Sequence, residues 1–160
     1  FFSDCSCQGK CPSARSGCPQ VSGMYLLDTN VVSELRKPKP HGGVVEWIRS
    51  VADADLHVSA VTIGEIQAGI EITRDQDEAK ARELEAWLDE VSATFNVVDM
   101  DAPIFREWAR LMHGASETLY EDAMIAATAR MRKLTVATRN VADFRNFGVQ
   151  VINPFATPRK

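Results

Sequence analysis

The sequence predicts an α/β fold in which a parallel β-sheet is covered on both faces by helices within one domain. Three observations carry that expectation. Short apolar runs alternate with longer segments of helical period, the order that successive βαβ units produce. No repeat or low-complexity segment interrupts this alternation after residue 23. A chain of 160 residues, 45% hydrophobic and 25% charged, is long enough to bury an ordinary core as a single domain.

Tyr25–Asp28 opens the pattern as an apolar run ended by an acid, as expected of a buried strand. Thr29–Leu35 follows with helical spacing, and Pro38 and Pro40 stop it. Gly43–Val51 reads as a second short helix with Val44, Trp47, Ile48 and Val51 on one face. Leu56–Ser59 reads as a strand and Ala60–Ile72 as a helix. Glu78–Ser92 is predicted to be a long polar helix whose core stripe is Leu84, Trp87, Leu88 and Val91. Phe95–Val98 is the third predicted strand. Ala102–His113 is a predicted helix bearing Ile104, Phe105, Trp108 and Leu111. The alanine-rich Leu119–Arg132 is expected to be helical and Leu134–Ala137 to be the fourth strand. Val141–Phe147 reads as a short helical piece before a closing strand, Val149–Ile152. Because right-handed crossovers dominate such sheets, functional groups are expected at the carboxyl ends of the strands.

Residues 1–23 stand apart from residues 24–160, which form the predicted domain. Cys5, Cys7, Cys11 and Cys18 all lie in this first stretch, which is rich in Ser, Gly and Pro and lacks an apolar period. It is read as a non-core extension, vector-derived or reflecting a start codon placed too early. A small zinc or disulfide module is the sharper alternative, but the Cys spacing matches no standard metal site. The net charge of −4 divides into +1 for residues 1–23 and −5 for the rest. An acidic domain is a poor general polyanion binder, although it can be an enzyme whose acids are masked by metal. No run has the length of a membrane span or a signal-peptide core, so a cytoplasmic protein is expected.

Four acids occupy places that need a reason. Asp28 ends the first strand, where α/β proteins bind ligands, yet capping the following helix explains it equally well. Glu65 has capping-box spacing from Thr62. Its helical neighbours Val61, Thr62, Ala68, Gly69 and Ile72 are nevertheless small or apolar, so partial burial is expected. Asp122 shares a stripe with Ile125, Ala126 and Ala129, and a charge there is costly unless it is paired or bound to metal. Its neighbour Glu121 is explained as a capping-box partner of Thr118. Asp143 follows the fourth strand and reads as a fourth acid or as a solvated loop residue. Three strand ends would then bring carboxylates to one sheet edge. Their repulsion demands a proton or a cation, and oxygen-only ligands select hard cations such as Mg²⁺ or Mn²⁺. His41, His57 and His113 show no zinc-ligand spacing.

The segments Tyr-Leu-Leu-Asp28-Thr-Asn-Val-Val-Ser-Glu-Leu, Val-Ser-Ala-Val-Thr-Ile-Gly-Glu65-Ile, Glu-Asp122-Ala-Met-Ile-Ala-Ala-Thr-Ala and Val-Ala-Thr-Arg-Asn140-Val-Ala-Asp143-Phe resemble, in order, a PIN domain. The resemblance runs from residue 24 to about residue 155 and is strongest to the VapC toxins of bacterial toxin–antitoxin pairs. It implies a three-layer sandwich around a five-stranded parallel sheet, with an acidic pocket for Mg²⁺ or Mn²⁺. Asp28, Glu65 and Asp122 match the family's metal-binding acids. Many members carry a fourth acid where this chain has Asn140, a role that Asp143 is expected to take over. Thr29, Asn30, Thr138 and Asn140 are the expected supporting residues. The resemblance also implies a homodimer and a small cognate antitoxin whose tail reaches the pocket.

The expected activity is hydrolysis of RNA phosphodiester bonds, with catalysis by Asp28, Glu65, Asp122 and Asp143 through the metal. Arg36, Lys37 and Arg139 are candidates for RNA binding, with Lys39 and Arg145 in the same two basic clusters. A catalytically silent PIN fold that pairs with its antitoxin and regulates transcription is the alternative, supported by Asn140. A phosphotransferase of the haloacid-dehalogenase type would need a second Asp where Asn30 stands.

Overall fold

The computed structural model describes residues 23–156; the reading of the Cys-rich extension falls almost wholly outside them. Five strands alternate with seven helices. The strands are β1 (Tyr25–Leu27), β2 (Leu56–Ser59), β3 (Asn96–Val98), β4 (Thr135–Ala137) and β5 (Val151–Ile152). The helices are α1 (Thr29–Leu35), α2 (Gly42–Ser50), α3 (Ala60–Arg74), α4 (Glu78–Thr94), α5 (Ala102–Leu111), α6 (Tyr120–Arg132) and α7 (Val141–Arg145). All strand pairs are parallel, in the order β3-β2-β1-β4-β5. The expected five-stranded sandwich is therefore what forms.

The period-two alternation of β1 divides the core between the two faces of the sheet. Tyr25 and Leu27 point to one side, where Val31, Val32, Val44, Trp47, Leu56, Val58 and Val91 close a cluster. Leu26 points to the other, against Ala123, Ile125, Ala126, Ala129, Val136 and Phe144. The run of alanines in α6 is thus a packing device, since small side chains let that helix lie close on β1 and β4. A third cluster, Ile70, Ala81, Leu84 and Leu88, joins α3 to α4 as a hairpin.

The termini of the elements differ from expectation by a few residues. None differs by more than two: α3 and α4 run on to Arg74 and Thr94, α5 and α7 stop at Leu111 and Arg145, and β5 is reduced to two residues. Short 3-10 turns at Asp53–Asp55, Glu117–Leu119 and Pro154–Ala156 were not legible as elements. The last of these turns lies so close to α2 that a Cβ on Gly43 would come 2.8 Å from the Pro154 carbonyl oxygen, so only glycine fits there. Among the described residues, no helix is long and apolar enough to cross a membrane.

Candidate metal centre

The strand order locates the site before any side chain is considered. From β1 the chain moves outward through β2 and β3, then returns to β4 on the opposite side of β1. The β1–β4 boundary is therefore the topological switch point, where the two following loops part and leave a crevice. Asp28 leaves β1 there, and Thr138–Asn140 leave β4.

Asp28 caps α1 and stands at the candidate site. Its Oδ1 accepts from the Thr29 amide at 2.8 Å. Its Oδ2 accepts from the Thr138 hydroxyl at 2.6 Å and from the Asn30 side-chain amide. Asn30 also donates to Thr138 Oγ1 at 3.0 Å and accepts from the Arg139 amide at 3.0 Å, while the Asn140 amide donates to Thr138 Oγ1 at 2.9 Å. Thr138 and Asn30 thus join the two strand ends into one polar knot. The knot occupies the position that a phosphotransferase would need for a second Asp.

Glu65 enters from α3. The capping-box explanation fails, because Ser59 caps α3 through the Val61 amide and places Glu65 in the second turn. Its partner is remote in sequence: the Thr29 hydroxyl donates to Glu65 Oε2 at 2.5 Å. Glu65 is half-buried as expected, but its stripe is not uniformly covered, for Ala68 is exposed and Ile72 is 65% exposed.

Asp122 reaches the edge from the first turn of α6 and not from a strand end. A crossover helix runs antiparallel to its strands, so its N-terminus lies at their carboxyl edge. The Thr118–Glu121 capping box is also absent, since no side chain caps α6. Glu121 is exposed and its charge acts on both Glu65 and Asp122. The capping-box explanation of Glu121 therefore does not hold.

The electrostatics tie these residues together. Burial holds the Asp28 carboxyl above its ordinary range, and the charge of Asp143 adds to the rise against three hydrogen bonds. Glu65 is raised by burial first, with Asp28, Glu121 and Asp122 adding to it. Asp122 is pushed up to about 6 by burial and by the charges of Asp28, Asp143 and Glu121. Asp143 is therefore within electrostatic reach of two of the three principal acids. Asn140, by contrast, directs only its backbone amide into the knot and offers no side-chain cap to α7.

The predicted basic residues divide. Lys37 donates to Glu34 Oε2 at 2.6 Å and Arg139 lies 3.4 Å from the same oxygen, so their charges are committed to a buried acid. Arg139 also stacks over Phe155, with 4.0 Å between its guanidinium carbon and the ring centroid. Lys39 and Arg145 are exposed. Arg36 alone of the set lines a cleft of about 250 Å³ that begins at Thr29 and Glu65.

Among the described residues, no group of three or more His, Cys, Asp or Glu side chains is placed to hold a metal ion. The donor chemistry nevertheless suits a hard cation. Every donor is a carboxylate, hydroxyl or amide oxygen, and the carboxylates raise one another's proton affinity.

The PIN-domain family profile matches residues 25–149. Toxin FitB of Neisseria gonorrhoeae is 34% identical over 139 residues, covering 82% of this chain and 99% of its own length. The VapC ribonuclease Y4jK of Sinorhizobium fredii is 34% identical over 143 residues, covering 82% of this chain and 98% of its own length. Among solved structures, FitAcB from Neisseria gonorrhoeae has a TM-score of 0.74 at 33% identity and covers 84% of this chain and 100% of that one. The chain belongs to the PIN-domain family, among its VapC-like toxins.

Proposed function

We propose that this protein is a metal-dependent endoribonuclease that serves as the toxin of a type II toxin–antitoxin pair. The observation that carries the reading is the group of carboxylates at the switch point, whose charges no cation among the described residues neutralises. Relatives named as a toxin and as a VapC ribonuclease support the activity.

Asp28, Glu65 and Asp122 are the metal-binding residues in this reading, with Asp143 completing the set. A divalent ion held by these residues, Mg²⁺ or Mn²⁺, would supply water activation and charge neutralisation at the phosphate. Thr138 and Asn30 fix Asp28, and Thr29 fixes Glu65, so the acids are oriented before substrate arrives. RNA is the substrate, and an antitoxin protein is the partner that restrains the enzyme, as the FitAcB and VapBC complexes among the structural neighbours suggest. A homodimer and a cytoplasmic setting belong to the same reading.

The test is cleavage of a mixed cellular RNA pool with Mg²⁺ or Mn²⁺ by the wild type and by Asp122→Asn. Discrete cuts by the wild type, lost on addition of EDTA and in the variant, are the expected result. Asn140 favours the second reading, a non-catalytic partner-binding module. Absence of cutting by folded wild-type protein that also takes up no Mn²⁺ would select it.

A further inference from the structure

The cleft beside the acids has a composition that metal binding does not require. On α1, Thr29, Ser33 and Arg36 follow one another at helical spacing and line it from one side. Thr29, at the inner end, holds Glu65. Arg36 lies about 10 Å farther along the helix axis, from the rise of an α-helix. Ile66 and Ile70 of α3 and the half-buried Trp87 of α4 form the apolar wall. The Arg36 guanidinium carbon stands 5.8 Å from the Trp87 ring centroid. Arg36 forms no ion pair among the described residues, whereas Lys37 and Arg139 both serve Glu34.

We propose that this cleft seats one nucleobase of the RNA strand beside the bond that is cut, with Trp87 as its stacking platform and Arg36 as the cation at its outer end. The inference rests on the ribonuclease reading above. A cavity of about 250 Å³ has room for a single base, and an aromatic face stacks any base without hydrogen-bond readout. The Arg36 guanidinium, beside the Trp87 ring and without an ion pair among the described residues, adds a cation–π contact at the edge of the platform and a partner for the neighbouring phosphate. Ser33 offers a hydroxyl along the cleft, and Thr73, whose own proton goes to the Gly69 carbonyl, offers an acceptor, giving the seat a means to prefer some bases over others. A base can enter only if it is unpaired, so the strand is open at this position. A polyanion also accounts for both ends of the cleft at once, the metal-loaded acids at one and Arg36 at the other, which an apolar protein segment does not.

The experiment digests a randomised single-stranded oligoribonucleotide pool with Mn²⁺ and maps the cut sites for wild type, Trp87→Ala, Trp87→Phe and Arg36→Ala. The wild type is expected to show a base preference at one position beside the cut. Trp87→Ala should lower kcat/KM by roughly ten-fold or more and flatten that preference, while Trp87→Phe keeps both. Arg36→Ala should raise KM and reduce the dependence of binding on salt. Because Trp87 also packs against the α3–α4 hairpin, wild-type protein carrying 5-fluorotryptophan provides a check free of folding effects. Oligonucleotide added in EDTA should shift the ¹⁹F resonance of Trp87 and leave that of the buried Trp47 in place. Unchanged base preference in Trp87→Ala, or RNA binding without a Trp87 shift, overturns the base seat and leaves the ribonuclease reading intact. Normal cutting by Trp87→Ala combined with escape from its inhibitory partner would assign the cleft to a protein segment instead. Failure of the wild type to cut any pool would remove both.

Discussion

The two ends of α1 hold carboxylates that are equally hidden and oppositely treated. Asp28, 4% exposed, precedes the helix and, among the described residues, accepts hydrogen bonds from neutral groups alone: the Thr29 amide, the Asn30 side chain and the Thr138 hydroxyl. Glu34, 5% exposed, lies near the other end with Lys37, Arg139 and the His41 amide around it. Burial acts to raise both, yet Glu34 ends below the ordinary glutamate range because Lys37 and the other donors outweigh it. Asp28 stays above its range, with Asp143 adding to the rise. Burial alone therefore does not mark a functional acid. Burial without a countercharge is what distinguishes the candidate site, and the first end of α1 holds a buried carboxylate with no countercharge among the described residues.

Removing the unbalanced charge should have the largest effect. Asp28→Asn keeps the size of the side chain and is expected to reduce metal-dependent RNA cleavage by more than about a hundred-fold, beyond the effect of removing an outer-shell partner. Single-turnover cleavage at saturating Mn²⁺ measures this, and near-wild-type rates would place the chemistry elsewhere. Thr138→Val should come next, because it strips the 2.6 Å bond from Asp28 and unties Asn30 and Asn140. A loss of about 10–100-fold in activity or metal affinity is expected.

At the other end of the helix, the predicted effect is on stability. Glu34→Gln should destabilise the fold by about 1–3 kcal/mol while the folded fraction still cleaves. The sign of the pH dependence follows from the lowered pKa of Glu34. Its contribution is present above the ordinary carboxylate range and is lost as pH falls through the depressed folded-state value. Urea melts at neutral and acid pH should show the wild-type advantage shrinking with acid; a constant advantage would mean that packing and not charge is lost.

Much of this architecture was legible in the sequence because it follows from periodicity. The alternation of Tyr25, Leu26 and Leu27 between faces, and the conflict between Asp122 and its Ile125–Ala126–Ala129 stripe, are local patterns. What escaped reading depended on the phase of an element or on contacts across it. Ser/Thr-x-x-Glu spacing resembles a capping box wherever it falls, but α3 starts at Ala60 and α6 at Tyr120. The capping box weighed for Glu65 and given for Glu121 thereby falls away. Thr29 reaches Glu65 across 36 positions, and Glu34 gathers Arg139 across 105. No spacing rule anticipates either pairing, so sequence alone could not separate the uncommitted Arg36 from Lys37 and Arg139.

The most direct test of an uncompensated site is thermal melting at pH 7.5 of wild type and Asp122→Asn, each in EDTA and in Mn²⁺. Asp122 takes up its proton at about 6 in the fold against an ordinary 3.8, so the native state binds that proton more tightly than the unfolded chain. The metal-free wild type accordingly loses stability as pH rises through this interval and carries the full repulsion at pH 7.5. The account predicts that in EDTA Asp122→Asn melts above the wild type, and that Mn²⁺ raises the wild type by several degrees while leaving the variant nearly unmoved. A variant that melts below the wild type in EDTA, together with no response of the wild type to Mn²⁺, would contradict it.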